Sequence, residues 1–253
     1  RPGLIRGISV GTLTLTVTSA GDSNYNAATR SQLITIGKTT PVLTITSANT
    51  INVDGTLTAT ISTTATNGRG GAVTYAIIFD TGSATVNGST GLITAVSFGT
   101  VTLTATSAGD SNYYAATTAQ AITIGKTTPM LMITSANTLH VDDSLTLAVS
   151  TTTTYGRGGA ITFSITAGSG SATIDAITGH VTAVSTGSVT VTAFLLGDRD
   201  YNSASTSQLI TIDKATPTLM ITSANTLHVD DSLTATISST ATYGRGGAIS
   251  YAI

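Results

Sequence analysis

Thr100-Val101-Thr102-Leu103-Thr104-Ala105-Thr106 puts an apolar side chain on every second residue and a hydroxyl on each residue between. Successive side chains of a strand point to opposite faces, so this stretch reads as a strand with one dry face and one wet face. Threonine is β-branched and stiff at χ1, which suits a pleated strand and costs a helix entropy. The same alternation returns at Leu13, Leu15 and Val17, and again at Ser188-Val189-Thr190-Val191. A sheet with one dry face has to close it against a second sheet.

Those stretches stand 88 residues apart, and that offset organises the chain. It brings Gly37-Lys38-Thr39-Thr40-Pro41 onto Gly125-Lys126-Thr127-Thr128-Pro129 and then onto Asp213-Lys214-Ala215-Thr216-Pro217. Gly68-Arg69-Gly70-Gly71 falls on Gly156-Arg157-Gly158-Gly159 and Gly244-Arg245-Gly246-Gly247, and Gly21-Asp22 with Tyr25 falls on Gly109-Asp110 with Tyr113 and Gly197-Asp198 with Tyr201. Pro41, Pro129 and Pro217 fix φ and disfavour helix in the residue before them, which suits a short extended linker. Repeats bounded at the lysine cover 38–125 and 126–213, with the back half of a repeat at 1–37 and the front half of another at 214–253. On this phasing the chain starts and stops within repeats.

Within a repeat the alternation predicts seven strands, near 42–47, 56–62, 72–78, 83–87, 92–96, 100–107 and 117–124. They are separated by the turn formers Asp54-Gly55, Asn67-Gly68, Asp80-Thr81-Gly82 and Asn87-Gly88. Composition agrees with an all-β chain. There are 56 Thr, all 12 acidic residues are Asp, and the only Lys are Lys38, Lys126 and Lys214, so the residues that usually cover helix surfaces are nearly missing. Seven short strands in 88 residues predict a tandem array of Greek-key β-sandwiches.

Charged residues make up 9% of the chain and the formal net charge is -2, which argues against nucleic acid or an anionic membrane as partner. No apolar run approaches the roughly 18 residues of a membrane-spanning helix, so no membrane insertion is expected of this segment. The absence of Cys removes disulfides, thiolate nucleophiles and Cys-based zinc sites. The Thr, Ser, Asn and Gly surface favours an extracellular, cell-surface setting.

Thr85-Val86-Asn87 through Gly91-Leu92-Ile93-Thr94-Ala95-Val96 to Gly99-Thr100-Val101-Thr102-Leu103-Thr104-Ala105 resembles the signature of bacterial immunoglobulin-like domains. It returns at Gly179-His180-Val181-Thr182-Ala183-Val184 with Gly187-Ser188-Val189-Thr190-Val191, and at Gly3-Leu4-Ile5-Arg6-Gly7-Ile8 with Gly11-Thr12-Leu13. The Gly-Asp-x-x-Tyr stretch is similar to tandem repeats of large bacterial surface proteins. The resemblance covers essentially the whole chain. It implies immunoglobulin-like sandwiches in an adhesin, an invasin-like stalk or a surface layer.

The candidate sites each have a plainer structural reading beside the chemical one. Asp22, Asp110 and Asp198, with Asp54, Asp142-Asp143 and Asp230-Asp231, could give calcium oxygen ligands between repeats. A calcium site takes about six oxygens, and the spacing fits turns and side-chain-to-backbone hydrogen bonds better. Tyr25, Tyr113 and Tyr201 suit a ring that plugs the end of a sandwich with its hydroxyl on backbone, or else an exposed sugar-binding aromatic. Gly68-Arg69-Gly70-Gly71 lacks the ending and the helix of a phosphate cradle, and reads as a loop needing positive φ. His140 and Asp142 alternate onto one strand face without a third ligand. Lys38, Lys126 and Lys214, one per repeat, raise an intramolecular Lys-Asn cross-link, but beside the linker proline they are poorly placed for burial. The Thr-x-Thr rows could serve ice binding, which a twisted sheet disfavours. Asn87-Gly88-Ser89 is a glycosylation sequon that Asp175 replaces in the next repeat. No nucleophile, base and orienter assemble, so no enzyme is expected.

The sequence supports three functions. The first is a non-catalytic stalk or spacer whose partners are the neighbouring repeats. The second is a subunit of an extracellular filament or sheath, in which half-repeats of identical chains complete one another by strand complementation. The third is a carbohydrate- or ice-binding module; the identity of any host or surface ligand is not written in the sequence.

Overall fold

A computed structural model describes residues 3–66, 70–154, 156–241 and 247–253. Contacts divide the chain into two units, Arg1–Thr127 and Thr128–Ile253. Unit 1 opens with a hairpin, β1 (Gly11–Ser19) against β2 (Ala28–Ile36), paired antiparallel from Gly11↔Ile36 to Ser19↔Ala28. A whole repeat comes next as β3 (Leu43–Ile45), β4 (Thr50–Asn52), β5 (Thr56–Thr58), β6 (Ile61–Thr63), β7 (Val73–Phe79), β8 (Ser83–Val86), β9 (Leu92–Ser97), β10 (Gly99–Ser107) and β11 (Ala116–Gly125).

In unit 2 the next repeat has β12 (Leu131–Ile133), β13 (Thr138–His140), β14 (Ser144–Thr146), β15 (Val149–Thr151), β16 (Ile161–Ala167), β17 (Ser171–Ile174), β18 (His180–Ser185), β19 (Gly187–Leu195) and β20 (Ala204–Asp213). Every bound is displaced from its counterpart by the same 88 residues. The strands β21 (Leu219–Ile221) and β22 (Ile237–Ser239) then pair antiparallel, as β12 and β15 do.

Each whole repeat is a sandwich. In unit 1 one sheet has the order β4-β11-β10-β7, a second has the order β5-β9-β8, and β3-β6 form a separate two-stranded pair; unit 2 repeats all three. The alternation in β10 becomes strict alternation of burial, with Val101, Leu103 and Ala105 at 0% exposure. Ile93 of β9 and Ile122 and Ile124 of β11 are fully buried as well. Burying a side chain of this size contributes about 1.5–3 kcal/mol, so these few residues carry most of a small domain's core. Val181, Val189, Val191, Ala193, Ile210 and Ile212 occupy the same places in the next repeat.

The observed strands depart from the seven expected in two places. The expected 42–47 strand ends at Ile45, and the chain then crosses to the opposite sheet as β4, which runs parallel to the end of β11. The equivalent crossing in unit 2 is held by Gln208 Nε2, which donates to the carbonyl of Ser135 at 3.2 Å. The expected 56–62 strand divides into β5 and β6. Its first half pairs with β9 and its second with β3, and the Ala59 amide between them donates to Gly91 O.

Candidate functional site

The connection between the last two strands of each sandwich is closed by its aspartate. Oδ1 of Asp110 accepts the amides of Asn112 at 2.7 Å and Tyr113 at 2.9 Å, and its Oδ2 accepts the amide of Gly70 at 2.8 Å. Asp198 does the same with Asp200 at 2.8 Å, Tyr201 at 2.9 Å and Gly158 at 2.7 Å. Asp22 accepts from Asn24 at 2.7 Å and Tyr25 at 2.9 Å. In the whole repeats one carboxylate therefore shapes its own loop and ties that loop to the glycine strap about 40 residues earlier, through charge-assisted bonds.

The strap comes close enough to require glycine. Gly71 and Gly159 sit at φ 81°, and a Cβ on either would run into the carbonyl oxygen of Gly109 or Gly197. Gly68, Arg69 and the 244–246 part of the motif lie outside the described residues. Arg157 reaches past the strap to Asp200, with Nη1 and Oδ2 2.9 Å apart and Asp200 only 6% exposed. Nothing local in the sequence marks that pair, since the partners are 43 residues apart. The one available signal was Asp200 standing where the preceding repeats have Asn112 and Asn24.

The three tyrosines are placed differently. Tyr201 is 1% exposed and its hydroxyl lies 3.0 Å from both the amide and Oγ1 of Thr154. Tyr113 is half-buried, and its hydroxyl lies 3.3 Å from the same two atoms of Thr66. Tyr25 is 77% exposed, so its ring is not plugged into a sandwich end. Thr66 and Thr154, which meet the hydroxyls, had no motif to announce them.

The linker is docked on this loop. Thr39 N donates to Asn112 O at 3.3 Å, and Tyr114 N donates to Thr39 O at 3.0 Å. Lys38 Nζ donates to Asp110 O at 2.8 Å and lies 5.8 Å from the centre of the Tyr114 ring. Pro41 and Pro129 are buried and Pro217 is half-buried. From the segment before β1, Val10 N donates to Asn112 Oδ1 at 2.9 Å. Within unit 1 the Asp110 loop thus touches the linker and the segment before it.

The remaining candidates do not converge. Among the described residues no group of three or more His, Cys, Asp or Glu could hold a metal ion, and Oδ1 of Asp22 and both carboxylate oxygens of Asp110 and Asp198 accept backbone amides. Asp54, Asp142 and Asp230 occupy positive φ of 65°, 71° and 68° in tight turns. His140 Nδ1 lies 3.2 Å from Asp143 Oδ2, three residues on. Asn87 Oδ1 accepts the amides of Ser89 and Thr90, each at 3.0 Å. Asp175 accepts those of Ile177 and Thr178, at 2.9 and 2.8 Å. Backbone bonds from Thr178 first and Ile177 second hold the Asp175 carboxyl below its ordinary value.

The family model for the bacterial Ig-like domain (group 2) matches residues 39–115 and 127–197. No curated protein matches the chain. Among solved structures, fibronectin(III)-like modules of Clostridium thermocellum CbhA align over 68% of the chain and 95% of theirs, at 14% identity and a TM-score of 0.29. A SusE-like surface located polysaccharide binding protein from Bacteroides thetaiotaomicron aligns over 69% of the chain and 34% of its own length, at 12% identity and a TM-score of 0.28. A C-terminal fragment of intimin in complex with its receptor's binding domain aligns over 72% of the chain and 67% of its own, at 17% identity and a TM-score of 0.26.

Proposed function

The chain belongs to the bacterial Ig-like domain (group 2) family, and from that premise we propose that it is a non-catalytic spacer segment of a long extracellular surface protein. The observation that carries this reading is the bonded joint of unit 1. Lys38 and Thr39, at the start of the 38–125 repeat, and Val10, from the segment before it, all bond to residues 110–114 of that repeat, so the linker is fixed rather than free. A spacer needs joints of this kind, because a tether of freely jointed beads grows only with the square root of its length, whereas fixed joints let each repeat add its full reach. Asp110 of the loop bonds to the sandwich and Asn112 to the joint, which supports neighbouring repeats as its partners.

Small-angle scattering of the whole chain tests this. A narrow distribution of intramolecular distances is expected, broadening when Lys38→Ala and Asn112→Ala are combined. A distribution already broad in the unaltered chain would overturn the spacer reading. Specific, saturable hits on a glycan array would replace it with a binding module.

A further inference from the structure

We infer that each repeat is built to bear tension along the chain, and that the parallel pairing of its early strand β4 with its last strand β11 is the element that resists. The inference rests on the spacer reading for its purpose but not for its mechanics. Tension applied through neighbouring repeats enters a repeat at its linker lysine and leaves beyond its final strand. It therefore draws β4 toward its own N-terminus and β11 toward its own C-terminus.

Direction decides how the pair yields. The two strands run parallel, in the register Thr50↔Thr123, Ile51↔Ile124 and Asn52↔Gly125, so opposite pulls slide one along the other. Their hydrogen bonds are evenly spaced and slanted between the strands, and sliding loads all of them together. An antiparallel pair with this connectivity would be opened from one end, one bond at a time. Two bonds extend the seam beyond the paired residues, Thr123 N to Asn49 O and Val53 N to Gly125 O, both 2.9 Å.

The arrangement is shielded and it is repeated. Val53 is 2% exposed and Ile124 0%, so water has little access to replace a loaded bond. In unit 2, β13 pairs parallel with β20 through Thr138↔Thr211, Leu139↔Ile212 and His140↔Asp213. The flanking bonds return as Thr211 N to Asn137 O at 2.9 Å and Val141 N to Asp213 O at 3.0 Å. Asn52 is replaced by His140 and Gly125 by Asp213, yet the pairing is unchanged. The backbone seam is what the two repeats share.

Single-molecule stretching of the whole chain between its ends is the test. Two rupture events are expected, each releasing about 300 Å at roughly 3.5 Å per residue. Val53→Pro with Val141→Pro removes one seam bond per repeat. Proline suits these positions because each is the second residue of a tight turn whose third residue, Asp54 or Asp142, has positive φ. The rupture rate at fixed force should rise about tenfold, the effect of one lost hydrogen bond. Replacing the Val53 amide by an ester keeps the side chain, removes only the N–H, and serves if the proline chain does not fold. Asn87→Ala with Asp175→Ala weakens a loop away from the seam, and should lower equilibrium stability while leaving the rupture rate unchanged. An unchanged rate in a folded seam variant, or an equal rise in the loop variant, overturns the proposal. Either result leaves the scattering test of the spacer untouched.

Discussion

Replacing Asp198 by asparagine keeps the shape of the side chain and changes what it can accept. Oδ1 retains its bonds from Asp200 and Tyr201, but an NH2 group replaces Oδ2 and meets the Gly158 amide donor to donor. Flipping the amide would be worse, since it gives up two bonds to save one. A hydrogen bond to a charged group contributes about 1.5–3 kcal/mol, and partial solvation of this half-buried loop places the loss near 2 kcal/mol. For a domain of this size that is a fall of roughly 8–16 °C in Tm. Asp22→Asn is the internal reference. Asp22 accepts two amides on one oxygen, which asparagine can do equally well, so its cost should stay within about 0.5 kcal/mol. Calorimetry of the whole chain reads the first quantity, and amide exchange at Gly158 reads the bond itself. If Asp198→Asn shifts the transition no more than Asp22→Asn does, or if Gly158 keeps its protection, the carboxylate does not hold the strap.

Tyr201→Phe should cost about 1–3 kcal/mol in urea unfolding, since the hydroxyl bonded to Thr154 sits on a ring that is 1% exposed, whereas Tyr25→Phe should be neutral. Gly159→Ala combines a left-handed backbone, at about 1–2 kcal/mol, with collision against Gly197 O, and circular dichroism should show the 126–213 repeat unfolded or severely destabilised. Asp175 has a folded pKa below the ordinary 3.8, so its stabilising effect is present above that value and is lost as pH falls through the folded pKa. Thermal scans between about pH 5 and 2 should therefore be flatter for Asp175→Asn than for the unaltered chain, and identical slopes would remove the loop bonds as the cause.

The sandwich was legible in the sequence because its signals are local. Alternation within Thr100–Thr106 gives a strand and its dry face, and the 88-residue offset gives the repeat. β4 was not legible. Three residues, Thr50-Ile51-Asn52, are too few to show a period, and what makes them a strand is a parallel partner more than 70 residues away. The same holds for the joint. Val10 and Asn112 are 102 residues apart, and no pattern in either neighbourhood names the other. The tyrosines show the converse. One motif in three copies yields a buried ring at Tyr201 and an exposed one at Tyr25, because burial depends on what packs over the loop rather than on the motif.

Differences between the repeats track the acceptors each site needs. At Asn87 and Asp175 a single oxygen takes two amides, in the same geometry, so an amide and a carboxylate serve alike and both occur. At Asp110 and Asp198 both oxygens are engaged, by donors from two separate segments, and only a carboxylate has acceptors on both sides. That position is Asp in all three copies. At Asn112 and Asp200 the side chain meets a different donor in each case, the Val10 amide of the preceding segment in one and the Arg157 guanidinium of its own repeat in the other, and the residue changes with the partner. Where backbone amides engage both oxygens the residue is fixed, and where one oxygen suffices or the donor differs between repeats it varies. The aspartate of the loop therefore belongs to the fold, while the residue two places on answers to whichever group is brought against it.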